Sequence, residues 1–148
     1  MNREYPDRPI VGVGGVVIAD GKVLLVRRAS EPLRGQWSLP GGVVELGETL
    51  KEGVRRELRE ETGLEVSIVE MVEAFERIVR DAVGRVRYHF VLIDYLCEPV
   101  TGEACAGSDV LDVAWVTRDS LARFELTPKA TSVIEKAFAL AEGSSRSR

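Results

Sequence analysis

The sequence is poor in the residues on which several classes of catalytic site depend. Its 148 residues include one histidine and two cysteines. Cys97 and Cys105 form no C-x-x-C pair, so we expect reduced thiols with a structural role and neither a disulfide nor a zinc site. His89 falls within a predicted strand, where a packed or edge position is favoured over the role of a general base.

Long apolar runs and an excess of positive charge are also missing. No run approaches the ~20 residues of a membrane span, and the opening MNREYPDRP is too polar for a secretory signal. A net charge of -4 and a pI near 5.2 argue against a nucleic-acid-binding surface. We therefore expect a cytoplasmic protein with neither membrane nor nucleic acid as a partner. An anionic substrate would need a metal ion or a few local cationic side chains.

The length and composition fit one ordinary globular domain. Hydrophobic residues make up 45% and charged residues 30% of the chain, so a packed core is expected. We predict an extended lead-in over residues 1–9, a single domain over 10–142 and a flexible tail over 143–148. No repeat or linker interrupts the domain.

Alternation and turn residues predict strands, a central helix, more strands and a final helix. Asp20 and Gly21 form a strong hairpin signal between the first two strands. The predicted strands are 10–19, 22–28, 65–80, 86–96 and 110–116, with a loop over 98–107, and the predicted helices are 50–62, a short one ending at Phe124 and one from Thr127 and Pro128 to about Glu142. This order predicts an α+β fold. The glycines of IVGVGG lie inside a strand, which indicates close backbone packing and not a dinucleotide-binding loop.

The stretch GVVELGETLKEGVRRELREETGL, residues 42–64, combines helix signals with an unusual set of acids. Glu48 and Thr49 are suited to capping the helix start, and Gly63 is suited to its left-handed end. Glu57 and Glu61 are four residues apart and share one face, with Glu60 beside them.

Three like charges at the edge of a buried stripe repel one another unless a cation lies among them. Carboxylate oxygens suit Mg²⁺ or Mn²⁺. The alternative is a solvated helix in which Glu52, Arg56 and Glu60 form ordinary ion pairs one turn apart.

The complete spacing runs from Gly42 through Glu48, the Arg56-Glu57 pair and the Glu60-Glu61 pair to Gly63. In every one of these positions the chain resembles the Nudix hydrolases. The resemblance implies an α/β/α sandwich with a mixed central sheet, and a pyrophosphohydrolase that requires Mg²⁺, with Mn²⁺ as a second option. It also allows a homodimer.

Roles for the motif residues follow from the same resemblance. Glu57 and Glu61 are expected to be the principal metal ligands, and Glu60 a further ligand or the group that orients water. The carbonyl of Gly41 is expected to point at the metal. Arg56 is expected to pair with Glu48 and hold the preceding loop against the helix.

Three residues outside the motif are candidates for substrate binding. Arg28 is a candidate phosphate ligand, with surface solvation as its alternative. Trp37 is a candidate for stacking on a base, with core packing as its alternative. Asp109 is a candidate for an acid supplied from outside the motif, ahead of Asp112, and either residue is also suited to a turn or cap.

The segments around the motif resemble bacterial ADP-ribose pyrophosphatases, notably WSLPGG, RYHFVLIDYLCEP and SDVLDVAWV. The implied reaction is cleavage of ADP-ribose to AMP and ribose 5-phosphate. The best-known members of that group carry a proline about fifteen residues beyond the motif, and residues 77–82 contain none. Enzymes that hydrolyse (d)NTPs are therefore the second reading. A Nudix-like domain that senses a nucleotide without hydrolysing it is the third.

Overall fold

The computed structural model describes residues 3–30 and 33–146, and its helices and strands follow the predicted order. The strands are β1 (Ile10–Ala19), β2 (Lys22–Arg28), β3 (Trp37–Ser38), β4 (Gly41–Val43), β5 (Glu65–Arg80), β6 (Val86–Thr101) and β7 (Val110–Thr117). The helices are α1 (Leu50–Thr62), a 3₁₀ helix (Arg118–Phe124) and α2 (Pro128–Arg146).

β1 is the strand on which the parts of the sheet meet. Along one edge it pairs in parallel with β6, from Ile10 opposite Phe90 to Val17 opposite Cys97. β6 in turn pairs with the antiparallel β5. Along its other edge β1 pairs first with β4 and then, at its end, with β2, which continues to β3 and β7. The sheet is therefore mixed, as predicted.

The two helices cover opposite faces of this sheet. Val13 and Val17 of β1 pack with Val54 and Leu58 of α1 in one buried cluster. Val16, one position out of phase on the same strand, belongs to a second cluster with residues of α2, including Val133 and Ile134. Because successive side chains of a strand point to opposite faces, β1 contributes to both cores. This arrangement confirms the α/β/α sandwich.

The hairpin between β1 and β2 also has the predicted form. Asp20 has φ 51° and Gly21 has φ 73°, both in the left-handed region that a two-residue turn of this kind needs. No helix in the described part of the chain has the length and apolar content needed to cross a membrane.

The structure differs from the sequence prediction at three boundaries. β6 continues to Thr101, where it pairs with Glu65, so the first part of the predicted 98–107 loop is strand. The WSLPGG segment contains β3 and β4 because its backbone reaches the edges of β2 and β1. α2 continues to Arg146 and so includes most of the predicted tail, whose last two residues, 147 and 148, lie outside the described residues, as do residues 1 and 2 of the lead-in.

Candidate active site

The start and end of α1 are fixed by local capping. The Thr49 hydroxyl accepts a hydrogen bond from the Glu52 N–H at 3.2 Å, and the Glu52 carboxylate accepts one from the Thr49 N–H at 2.9 Å. At the other end Gly63 has φ 75°, and its N–H donates to the Arg59 carbonyl. The predicted caps Thr49 and Gly63 are confirmed, and they set the register of the motif glutamates.

A second segment, distant in sequence, closes the C-terminal turn of α1. The N–H groups of Cys105, Gly107 and Ser108 donate to the carbonyls of Thr62, Glu61 and Glu60 respectively, at 2.9–3.0 Å. A Cβ atom on Gly107 would lie 2.0 Å from the Glu60 carbonyl oxygen, so only glycine fits this contact. The loop thereby satisfies carbonyls that a helix end leaves without partners. Sequence analysis missed this function of the 102–109 loop.

Arg56 joins the loop before α1 to the acids on α1. Its guanidinium donates to both Glu48 carboxylate oxygens, at 2.7 and 3.0 Å, and to the Val43 carbonyl at 3.0 Å. It also contacts Glu57 at 2.8 Å and Glu60 at 3.3 Å. The Arg56 and Glu48 side chains are only 19% and 13% exposed. The hydrogen bonds from Arg56 lower the pKa of Glu48, and those to Glu48 and Glu57 raise the pKa of Arg56.

The Gly41-Gly42 backbone lies directly against two of the motif glutamates. A Cβ atom on Gly42 would lie 2.6 Å from the Glu57 carboxylate, so the first motif glycine leaves the space that this side chain occupies. The Gly41 N–H donates to Glu61 Oε1 at 3.2 Å. Burial, followed by the neighbouring Glu57 charge and hydrogen bond, raises the pKa of Glu61 to about 8. These contacts place Glu57 and Glu61 together at the turn after β3.

The carboxylate oxygens at this turn are ligands of the kind that a hard divalent ion prefers. Within residues 3–30 and 33–146 no three His, Cys, Asp or Glu side chains converge as a finished metal site. One terminal nitrogen of Arg56 holds both Glu57 and the half-exposed Glu60. Glu57 and Glu61 nevertheless form an adjacent carboxylate pair whose burial and mutual repulsion a cation would offset. The pair fits Mg²⁺ or Mn²⁺, and Glu60 is the neighbouring third acid.

A cavity of about 760 Å³ opens on the other side of the Gly41-Gly42 backbone. Its floor includes Gly12 and Gly14 of β1, where Cβ atoms would lie 2.8 Å from Leu92 and 2.4 Å from Asp94. The predicted close packing at the IVGVGG glycines is thus confirmed. The remaining lining comes from β5 and β6, from the 36–43 segment and from the start of α2.

The three candidates outside the motif have different surroundings. Arg28 lines the cavity, and its burial lowers its pKa, an effect that the nearby Glu61 opposes. Trp37 also lines the cavity, but its ring packs edge-on against Phe124 at 5.2 Å, as core packing predicts. Asp109 is exposed, has φ 60° and accepts a hydrogen bond from the Ala29 N–H through its backbone carbonyl. Its geometry is that of the turn residue named as its alternative.

The remaining single residues of the sequence analysis have structural positions. His89 lies in β6 opposite Ile78, as the predicted strand position requires. Cys97 is buried, which raises the pKa of its thiol to about 12, and Cys105 is exposed. Both cysteines are free thiols, as predicted.

Sequence analysis did not identify the polar residues that β6 and α2 contribute to the lining of the cavity. Asp94 of β6 is 8% exposed, and burial, together with the charge of Glu73, raises its pKa to about 6. Lys129, at the start of α2, pairs with Glu73 and lies 4.7 Å from the centre of the Phe75 ring. The available signal is the single acid in the otherwise apolar run FVLIDYL.

Comparison with known families decides the class of this site. The model of the NUDIX domain matches residues 8–137, which include the motif, α1, the whole sheet and the first half of α2. The chain belongs to the Nudix family. The predicted resemblance to this family is confirmed.

Relatives of this Nudix chain carry two kinds of name. An ADP-ribose pyrophosphatase of Methanocaldococcus jannaschii is 35% identical over 113 residues, which are 76% of this chain and 64% of the relative. This chain therefore spans less than two thirds of that protein. The nucleoside triphosphatase NudI of Enterobacter sp. is 36% identical over 120 residues, which cover 75% of this chain and 84% of that protein.

Solved Nudix structures share the fold over most of the chain. A MutT NUDIX hydrolase from Burkholderia pseudomallei is 29% identical with a TM-score of 0.76, covering 88% of this chain and 98% of that one. The NUDIX domain of Shewanella oneidensis NrtR, complexed with ADP ribose, is 26% identical with a TM-score of 0.75, covering 92% and 90%. These matches confirm the Nudix fold.

Proposed function

We propose that this Nudix hydrolase cleaves ADP-ribose to AMP and ribose 5-phosphate, with Mg²⁺ or Mn²⁺ held by its motif glutamates. The supporting observation is the cavity, which extends from Gly41 and Gly42 beside Glu57 and Glu61 to Phe75 and the start of α2. Its volume of about 760 Å³ is in the ordinary range for a small-molecule site. A nucleoside in the cavity would place an attached diphosphate next to the motif acids.

The acids that neighbour Lys129 and Arg28 favour a diphosphate ester over a triphosphate, although Arg3 and Arg77 add two cations to the same lining. A triphosphate carries more negative charge, so it needs more cations that are free to meet it. Lys129 is already paired with Glu73, and Arg28 lies close enough to Glu61 for the two charges to interact. Asp94 adds a further acid to the lining.

The residues of the chain have separable tasks in this reaction. When bound, a divalent ion would neutralise phosphoryl oxygens and lower the pKa of a bound water. Glu57 and Glu61 would hold the ion, and Arg56 fixes Glu57 in orientation while tying the Glu48 loop to α1. The half-exposed Glu60 is placed to orient water from the solvent side. Gly41 and Gly42 let the turn pack closely, because a Cβ on Gly41 would lie 2.2 Å from the Val13 carbonyl oxygen and one on Gly42 2.6 Å from the Glu57 carboxylate.

Hydrolysis of (d)NTPs is the second candidate. It is supported by the Enterobacter sp. relative, whose printed name is nucleoside triphosphatase and 84% of whose length is matched. The absence of proline over residues 77–82 points the same way. Arg3 and Arg77 line the cavity and are the cations that a third phosphate would use.

A direct comparison of substrates tests the proposal. We expect kcat/KM with Mg²⁺ to be higher for ADP-ribose than for any dNTP, and we expect a chelator to abolish turnover. The Glu57→Gln variant, purified in the same way, controls for contaminating phosphatases. A higher value for any dNTP would replace ADP-ribose as the substrate and keep the Nudix chemistry. Calorimetric binding of ADP-ribose without turnover would instead support a sensor.

A further inference from the structure

Asp94 places a buried carboxylate in the lining of the cavity. The residue is 8% exposed, and its neighbours along β6, Leu92 and Phe90, line the same cavity. The glycine at position 14 is what makes room for it, because a Cβ there would lie 2.4 Å from Asp94 Oδ1. The floor of the cavity is therefore shaped around this one acid.

Among residues 3–30 and 33–146 the Asp94 carboxylate forms no hydrogen bond or ion pair, although the charge of Lys129 attracts it. The nearest cation, Lys129, forms its ion pair with Glu73, the residue opposite Asp94 in the β5–β6 register. No fully buried side-chain oxygen among the described residues lacks a hydrogen-bond partner, so the unpaired Asp94 oxygens must reach the open space of the cavity. A buried carboxylate without a partner is costly, and a ligand that donates hydrogen bonds would remove that cost.

We propose that Asp94 determines base specificity by accepting a hydrogen bond from an exocyclic amino group of the nucleobase, which for ADP-ribose is the adenine amino group. The choice of ADP-ribose rests on the proposed function. Recognition of the amino group does not depend on the proposed function, since any nucleotide whose base reaches Asp94 would present it to the same carboxylate.

The surroundings of Asp94 favour a base over other groups of the substrate. The Asp94 carboxylate would repel a phosphate. The Lys129 amine, which could otherwise attract that phosphate, is already paired with Glu73. A nucleobase has flat apolar faces and a polar edge. The cavity offers the Phe75 ring and the Leu39 and Leu92 side chains for the faces, with Asp94 for the edge. An ionised carboxylate only accepts hydrogen bonds, so it selects donors at that edge.

Replacement of adenine by hypoxanthine tests this selection. The exchange puts a carbonyl oxygen where adenine has its amino group, so two acceptors would face each other at Asp94. We expect kcat/KM for ADP-ribose to exceed that for its inosine analogue by about 10-fold or more, the usual scale for an unsatisfied buried polar group. In Asp94→Asn the side-chain amide can rotate to donate to that carbonyl. The ratio should then fall at least several-fold, to near or below one.

The ratio of two substrates within one enzyme does not depend on how much of the variant is folded. Asp119→Asn, an exposed isosteric change on the 3₁₀ helix, is the matched control and should keep the wild-type ratio. If the kcat/KM ratio of the two substrates in Asp94→Asn equals that of wild type, the proposal is overturned. The same result is expected if Asp94 contacts a ribose hydroxyl and not the base. If ADP-ribose is not hydrolysed, the proposed function fails, and the same comparison with dATP and dITP still tests Asp94.

Discussion

The motif acids and Asp94 occupy opposite faces of one sheet, and they differ most in how their charges are satisfied. Glu57 and Glu48 on the α1 side are held by Arg56 and by backbone contacts. Asp94 on the cavity side has an ion pair beside it, between Glu73 and Lys129, but none of its own in the described part of the chain. The first arrangement fixes geometry before substrate arrives, as catalysis requires. The second leaves a position for the ligand to satisfy.

The largest expected effect is on the motif side. Glu57→Gln keeps the shape of the side chain and removes its charge, so it should lower kcat by about 10²-fold or more, as loss of a strong transition-state contact does. The melting temperature should change little. The control is Glu52→Gln on the same helix, because glutamine can replace glutamate in the capping box. Near-full Mg²⁺-dependent activity in Glu57→Gln would show that Glu57 holds no metal.

Arg56→Ala should separate a buried network from surface ion pairs. It removes the partner of Glu48 and Glu57, whose side chains are 13% and 14% exposed. We therefore expect the free energy of unfolding to fall by about 2–4 kcal/mol and the activity to fall with it. Arg59→Ala on the same helix breaks a pair with Glu65 in which both side chains are about half exposed, and it should cost ~0–1 kcal/mol. Denaturant unfolding of both variants measures the difference. Equal losses would remove the supporting role assigned to Arg56.

The contrast also explains what could be predicted from the sequence. The motif region was predictable because its parts lie within about twenty residues of one another, so helical spacing alone brings Glu57 and Glu61 to one face. The pair of Arg56 with Glu48, which the family resemblance implied, is present in the structure. The cavity was not predictable, because it is assembled from strands and a helix start distant in sequence. Asp94 and the Glu73–Lys129 ion pair are brought together only through the β5–β6 register and the docking of α2.

The boundaries that were wrong have the same cause. β6 extends to Thr101 because β5 pairs with it there, and the local strand propensity of a segment does not predict such pairing. The capping of α1 by the 102–109 loop depends likewise on a contact between segments some forty residues apart. Local signals determine the α1 caps Thr49 and Gly63, whereas long-range contacts determine the end of β6 and the capping of α1 by the 102–109 loop.

Gly107→Ala tests this long-range cap. The added Cβ would lie 2.0 Å from the Glu60 carbonyl oxygen, and a backbone atom cannot move away cheaply, so we expect a loss of about 1–3 kcal/mol in stability and reduced activity through the displaced Glu60 and Glu61. Gly143→Ala is a control of opposite sign. That residue lies in α2 with no atom within 4 Å of its added Cβ, so alanine should stabilise the helix by ~0.5–1 kcal/mol. Thermal unfolding with calorimetry reads both changes, and a neutral Gly107→Ala would mean that the loop does not constrain α1.

The pH dependence of stability in metal-free protein should separate the two faces by pH window. Both acids have a raised pKa in the folded state, about 8 for Glu61 and about 6 for Asp94. The folded protein therefore binds these protons more tightly than the unfolded chain does, and each contribution to stability is complete below the unfolded pKa and lost as pH rises through the folded one. In the presence of a chelator, Glu61→Gln should flatten the fall in melting temperature between about pH 4.5 and 8, whereas Asp94→Asn should flatten it only up to about pH 6. Because each variant is compared with wild type, the other titrating groups cancel. If the two variants have identical pH profiles, the folded-state pKa values of Glu61 and Asp94 do not differ in the way that their burial and neighbouring charges require.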